Sequence, residues 1–180
     1  MINKDNIEKI IRDLLIEIGE DPERDGLLDT PKRVAKYWKE FIDYDAGKID
    51  TAFESVKTDQ MVVVKDMKVW TMCEHHLLPF WTEISVGYIT RDKVLGLSKF
   101  ARIAHKHAHK LQLQEKLVDD IGTEIKGLVE TDDVAAYGKG QHLCMLSRGI
   151  RTNGTMVTSY LGGVFRKEYE TRQEFFHLVT

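Results

Sequence analysis

The order of hydrophobic periodicities predicts an α+β domain with a largely antiparallel sheet. Two helical stretches open the chain, period-two segments follow, a helical pair interrupts them, and more strands lead to a last helix. The composition fits such a body: 180 residues, 42% hydrophobic and 31% charged, are enough to bury a core and exclude collagen-like, low-complexity and disordered classes. With 26 Lys+Arg against 29 Asp+Glu, the net charge of -3 argues against a protein that coats nucleic acid or an acidic membrane, so any anionic ligand must meet a local basic patch. No apolar run approaches the roughly 18 residues of a membrane span, and the opening lacks the charged-then-apolar order of a leader, so a cytoplasmic protein is expected. Three prolines, no Ser/Gly-rich linker and no internal repeat leave little support for two independent domains.

Ile7, Ile10, Ile11, Leu14, Leu15 and Ile18 follow helical spacing, and Gly19 is a natural stop. Thr30 followed by Pro31 reads as a cap and first helical residue, leading into Val34, Tyr37, Trp38 and Phe41. The weakly periodic stretch 47–60 reads as a connection to strands at Met61 to Val64 and Met67 to Trp70. Ile84, Val86 and Tyr88 alternate with Glu83, Ser85 and Gly87, the pattern of a half-buried strand. Ser98 is expected to cap a helix reaching about Lys110. The next helix, with Leu117, Ile121, Ile125 and Leu128 inward, contains Gly122 and Gly127 at some cost in propensity. Val134 to Tyr137, His142 to Ser147 and Thr155 to Leu161 read as strands, and Phe175, Phe176 and Leu178 mark a closing helix.

Chemistry concentrates around the two cysteines. In Cys73-Glu74-His75-His76 a thiolate and an imidazole lie three residues apart, close enough in a turn to bind one tetrahedral ion. Cys144 lies within His142-Leu143-Cys144, where strand geometry would put His142 and Cys144 on one face. Cys73, His76 and Cys144 then give three ligands and leave a fourth position for water, with His75 and His142 beside the metal as acid-base groups. A structural site closed by His75, and no metal at all, are the alternatives. Histidine beside each cysteine favours ligand roles over a disulfide.

Lys99, Arg102, Lys106 and Lys110 make one helix face basic, which is the usual pattern of a solvated surface. Ser98 and Lys99 stand at the helix start, however, where free N–H groups and the dipole favour phosphate, and Arg148 could add a bidentate contact. His105, His107 and His109 fan over different faces and read as surface histidines. Gln114-Glu115 offers a carboxylate able to accept guanine's N–H protons, or simply a carboxylate stabilised by a helix dipole.

Together these residues resemble the GTP cyclohydrolase I family. The resemblance runs from Asp29-Thr30-Pro31-Lys32-Arg33 to the end of the chain. It passes through Met72-Cys73-Glu74-His75-His76-Leu77-Leu78-Pro79-Phe80, Gly96-Leu97-Ser98-Lys99 with Ala101-Arg102-Ile103, and Leu113-Gln114-Glu115. His142-Leu143-Cys144-Met145 with Arg148-Gly149, and Thr158-Ser159 through Gly163-Val164-Phe165, complete it. The resemblance implies a tunnelling fold, an antiparallel sheet with helices on one face, over residues 47–180, preceded by an N-terminal helical segment over residues 1–46. It implies a homodecamer with active sites between subunits, and conversion of GTP and water to 7,8-dihydroneopterin triphosphate and formate. Zinc would be held by Cys73, His76 and Cys144, with His75 and His142 as acid-base groups and Ser98 in the later ribose rearrangement. Gln114 and Glu115 would read guanine, while Lys99, Arg102, Arg148 and a neighbouring subunit's Arg33 would face the ribose and triphosphate. The product would be a pterin feeding folate, biopterin or deazaguanine chemistry.

The chain departs from the family pattern at Trp81-Thr82-Glu83, Ser85, Lys139 and Ala108-His109-Lys110. These positions bear on polyphosphate affinity and leave the metal and base-reading residues intact. They motivate one alternative, a non-catalytic member of the fold that binds zinc and nucleotide in a regulatory role.

Overall fold

The computed structural model describes residues 2–54 and 58–180, so positions 55–57 of the expected connection lie outside the described residues. The chain separates into two compact units, Met1–Asp45 and Ala46–Thr180. In the first, α1 (Lys4–Glu17) begins where the Asn3 side chain accepts the Asn6 N–H at 3.0 Å, and ends at Ile18 before Gly19 with φ +87. Helix α2 spans Thr30–Ile42 and starts one residue earlier than expected, with Asp29 in the flanking position and no side-chain cap bond. A turn already occupies the Thr30 N–H, which donates to Leu27 O at 2.9 Å, and the first helical bond runs from Arg33 N–H to Asp29 O. Phe41 is buried, with Tyr37 and Trp38 against it at ring separations of 6.1 and 6.0 Å.

The second unit is built on a five-stranded sheet in the order β5-β2-β3-β6-β7, antiparallel except for the β2–β5 pair. Its strands are β2 (Met61–Cys73), β3 (Pro79–Ile89), β5 (Leu111–Gln112), β6 (Val134–His142) and β7 (Met156–Leu161). A small separate pair joins β1 (Ala52–Glu54) to β4 (Lys93–Leu95). Where two strands were expected at Met61 to Trp70, one bent strand runs through a bulge between Val64 and Met67. Asp66 takes φ +61 there, and its N–H donates to Ser85 Oγ at 3.3 Å.

Alternation sorts the sheet into two faces. Ile84, Val86, Tyr88, Val134 and Ala136 pack with Phe100, Ile103 and Ala104 of α3 (Leu97–Ala108) and Leu117, Ile121 and Ile125 of α4 (Gln114–Val129). Each fully buried side chain of this size contributes about 1.5–3 kcal/mol. Ile89, Ala135 and Tyr137 point the other way, onto Phe165 of α6 (Gly163–Lys167) and Phe175 and Val179 of α7 (Tyr169–Val179). The long helical pair thus lies on one face as expected, whereas the C-terminal helices cover part of the opposite face. Gly87 makes their approach possible, since a Cβ there would stand 2.7 Å from Phe175 Cδ2.

Two other helix starts carry candidate site residues. Gly96, rather than the expected Ser98, flanks α3, and Ser98 lies within its first turn. Helix α4 begins at Gln114 directly after β5 and ends at Glu130, with φ 53. Contacts clasp α4 to α3 and the turn after it: ion pairs join Lys106 Nζ to Glu124 at 2.6 Å and Lys110 Nζ to Asp120 at 2.7 Å, and a hydrogen bond joins His107 to Glu124. Burial pushes the His107 imidazole below its ordinary pKa, against the pull of Glu124, and it does the same to His105.

Candidate active site

The hairpin joining the two longest strands turns through Cys73 to Leu78. The Cys73 N–H donates to Leu78 O at 2.9 Å, and the N–H groups of His76 and Leu77 both reach back to Cys73 O. Leu77 takes φ +53 to close the turn. This winding brings Cys73 Sγ to 3.6 Å from His76 Nδ1. Cys144 arrives two residues beyond the end of β6, outside any strand. Strand β6 ends at His142, and the expected extended run to Ser147 is instead the helical turn α5 (Leu143–Leu146). Ser147 fixes that turn by donating both its N–H, at 2.8 Å, and its hydroxyl, at 2.7 Å, to Leu143 O. His142 and Cys144 therefore do not share a strand face, yet the donor atoms of Cys73, His76 and Cys144 all lie within 4.8 Å of one another. Burial and the adjacent Cys73 sulfur push the Cys144 thiol upward, whereas a cation between the sulfurs would favour the thiolate. Two thiols and an imidazole at this spacing can hold a metal ion.

His142 stands beside these donors. Its ring stacks on Phe80, its partner across the β3–β6 ladder, at 4.1 Å and 10°. Burial holds its imidazole below the ordinary pKa, while the Glu115 carboxylate acts in the opposite direction. His75 is 62% exposed; its ring stands edge-on to that of His76 at 6.0 Å, and the Glu74 carboxylate lies 4.0 Å from it.

Gln114 and Glu115, adjacent in sequence, differ in surroundings. Gln114 is fully buried, and its carboxamide bonds Gly138 O, Met156 O, Thr158 Oγ1, Thr82 Oγ1 and His142 Nε2. Glu115 is exposed in the first turn of α4 and lines a shallow cavity of about 550 Å³ with Lys116, Asp119, Thr158 and Ser159. Ser98, Lys99 and Arg102 form a group on the first turns of α3. There Lys99 Nζ donates to Lys48 O and Arg102 Nη1 to Ala46 O, each at 2.7 Å. Arg148 is exposed just after α5, and Arg33 belongs to the N-terminal unit, 3.2 Å from Asp29.

The sequence motifs contain Phe80, Thr82 and Thr158 but assign none of them a role. Thr82 carried a usable signal: it shares the inward face of β3 with Phe80 and Ile84, and a buried threonine in an apolar row needs a polar partner.

Known proteins decide the family. The sequence profile of GTP cyclohydrolase I matches residues 7–180. The chain belongs to the GTP cyclohydrolase I family. The GTP cyclohydrolase 1 of Sulfurihydrogenibium sp. (strain YO3AOP1) is 45% identical over 181 residues, spanning 99% of this chain and 96% of that protein. That of Aquifex aeolicus (strain VF5) is 41% identical over 179 residues, 99% of this chain and 97% of its own. GTP cyclohydrolase 1 1 of Pseudomonas aeruginosa is 42% identical, with 93% of each chain covered. The α+β sheet-and-helix body is the tunnelling fold of this enzyme family. Among solved structures, the archaeosine synthase QueF-Like in its apo form covers 61% of this chain and 99% of that chain, at 22% identity and a TM-score of 0.46.

Proposed function

We propose that the chain is a zinc-dependent enzyme that opens the imidazole ring of GTP, consuming water and yielding 7,8-dihydroneopterin triphosphate and formate. The observation that carries the reading is the convergence of Cys73, His76 and Cys144 donor atoms within 4.8 Å, beside a half-buried histidine. The donor set fits zinc, whose tetrahedral sites take sulfur and imidazole and keep one position open when catalytic. When bound there, zinc supplies a water acidified toward neutrality as the nucleophile for C8 of the purine.

The chain's own residues do the rest. Glu115, an acceptor-only carboxylate, takes hydrogen bonds from N1–H and the exocyclic amine of guanine, a pattern adenine cannot offer. His142 gives a proton to N7 as the bond to C8 forms, the general-acid role suited to an imidazole standing beside the donor set. His75 serves the site as a second acid-base group, free to turn because it is exposed. The start of α3 adds the Ser98 hydroxyl, Lys99, Arg102 and a helix N-terminus for the ribose and triphosphate, with Arg148 opposite charge to the phosphates. Ser98 acts in the ribose opening and rearrangement that follow loss of formate.

The five-stranded sheet ends at the two-residue β5 and at β7, edges that ring closure with other copies would pair. A homo-oligomer, a decamer in this family, with Arg33 contributed by a neighbour, follows from the same reading, as does action in the cytoplasm. Among the described residues no helix is long and apolar enough to cross a membrane. The test is to incubate zinc-loaded protein with GTP and identify the product by mass and pterin fluorescence, together with formate. His142→Ala should turn over about 10²–10⁴-fold more slowly with zinc retained. Absence of formate from the parent protein overturns the reading.

A further inference from the structure

The chain of polar contacts behind His142 assigns a role to Gln114 that differs from base reading. We infer that the buried Gln114 carboxamide is a positioning group that locks His142 with a proton on Nε2 and leaves Nδ1 to carry the proton that moves in the reaction. This rests on the reading of His142 as the acid at the site.

The partners of the amide distinguish its two ends. Gln114 Nε2 lies 3.2 Å from Gly138 O, 3.1 Å from Met156 O and 3.1 Å from Thr158 Oγ1. Turning the amide over would set its carbonyl oxygen against two backbone carbonyl oxygens, which only accept, so the NH2 group must face them. The amide oxygen therefore faces Thr82 Oγ1 at 3.4 Å and His142 Nε2 at 3.0 Å. An amide oxygen cannot donate, so His142 Nε2 carries hydrogen in the neutral ring and in the charged one alike. In the neutral ring the free lone pair is then on Nδ1. Proton donation breaks the Nδ1–H bond as N7–H forms, the bonding pair stays on the ring, and the neutral Nε2–H tautomer remains.

Packing makes the arrangement rigid. Gln114 is fully buried, so no water competes for its oxygen, and the imidazole lies flat on buried Phe80. Two glycines of β6 make room for the amide. A Cβ at Gly140 would fall 2.7 Å from Gln114 Oε1 and 2.3 Å from Trp81 O, and one at Gly138 would fall 3.2 Å from Thr158 Oγ1. A glutamine spread over five internal partners has no free edge for guanine, whereas exposed Glu115 next to it does.

A double-mutant cycle on zinc-loaded protein with GTP tests this. Gln114→Met, which keeps length but offers no acceptor, should lower kcat about 10–100-fold with KM within about twofold, and should cost nothing further in a His142→Ala background. An equal loss in both backgrounds, or a raised KM at unchanged kcat, overturns the inference. If Gln114→Met does not fold, Thr158→Val, which frees the amide to tilt, should show a smaller loss with the same dependence on His142. In protein labelled with 15N-histidine, the parent His142 should show protonated Nε2 and bare Nδ1, and Gln114→Met a mixture of tautomers. A parent spectrum with Nδ1 protonated and Nε2 bare overturns the inference whatever the kinetics. Parent-rate turnover by His142→Ala would instead defeat the underlying assignment of the acid, and the spectrum still judges the tautomer.

Discussion

Alanine at Gly127 and alanine at Gly122 should shift stability in opposite directions, although both positions lie inside α4 and both gain the same helical propensity. That gain is about 1 kcal/mol for Gly→Ala in a helix interior. At Gly127 an added Cβ meets nothing within 4 Å among the described residues, so the variant should be more stable by about 0.5–1 kcal/mol. At Gly122 the Cβ would stand 2.4, 2.6 and 2.9 Å from Cδ1, Cγ and Cε1 of Tyr160. Tyr160 belongs to β7, whose backbone is laddered to β6 at Ala136, so the ring cannot step back without moving the strand. Overpacking of this kind costs about 1–3 kcal/mol, which outweighs the propensity gain. Gly122→Ala should also slow GTP turnover, because α4 carries Gln114 and Glu115 at its first turn and Thr158 lies two residues before Tyr160. The assay is urea unfolding at fixed protein concentration, where the midpoints should move apart about the parent with unchanged slopes. A Gly122→Ala midpoint above the parent's would refute the packing argument.

Three more outcomes are expected. Cys144→Ser should lose most of the zinc that the parent holds, measured by metal analysis after gel filtration, since two ligands and water hold tetrahedral zinc poorly. Glu115→Gln should raise KM for GTP with folding unchanged, because an amide N–H would face the donors of guanine, and unaltered KM would remove Glu115 from base reading. Stability should be full above pH 6.5 and fall as the pH drops below it, because His105 and His107 have pKa values depressed from 6.5 and the unfolded chain takes up protons first. Urea midpoints from pH 7.5 to 5 check this, and His107→Gln should flatten the profile.

Much of the fold was legible because the relevant signals are local. The alternation of Ile84, Val86 and Tyr88, and the inward row Leu117, Ile121 and Ile125, mark their elements without reference to the rest of the chain. The bend at Asp66 was not legible, since nothing in Val64-Lys65-Asp66-Met67 separates a bulged strand from two strands with a turn between them. At the site, Cys73 and His76 could be paired from their spacing. The strand spacing that groups Cys144 with them does not hold, because α5 replaces the expected strand. The bonds of Ser147 to Leu143 that decide this are made only when the turn forms. The surroundings of Gln114 were beyond reading: its partners come from three strands distant in sequence, and only the folded sheet shows that its amide is fully engaged. Likewise the basic face of α3 is divided by contacts with α4, where Lys106 and Lys110 meet Glu124 and Asp120.

The donors at the hairpin turn and on α5 differ in when they can meet. Cys73 and His76 are brought together by one tight turn, a contact the chain can make early and locally. Cys144 joins only after β6 has found its place beside β3, with roughly seventy residues of chain between it and His76. An ion shared by all three is thus a reversible cross-link over that long loop. The corresponding covalent closure would remove on the order of 4 kcal/mol of freedom from the unfolded chain. Chelation would then loosen the docking of β6 against β3 as well as emptying the site, and the ring of His142, seated on Phe80 across that same ladder, would lose its alignment with them.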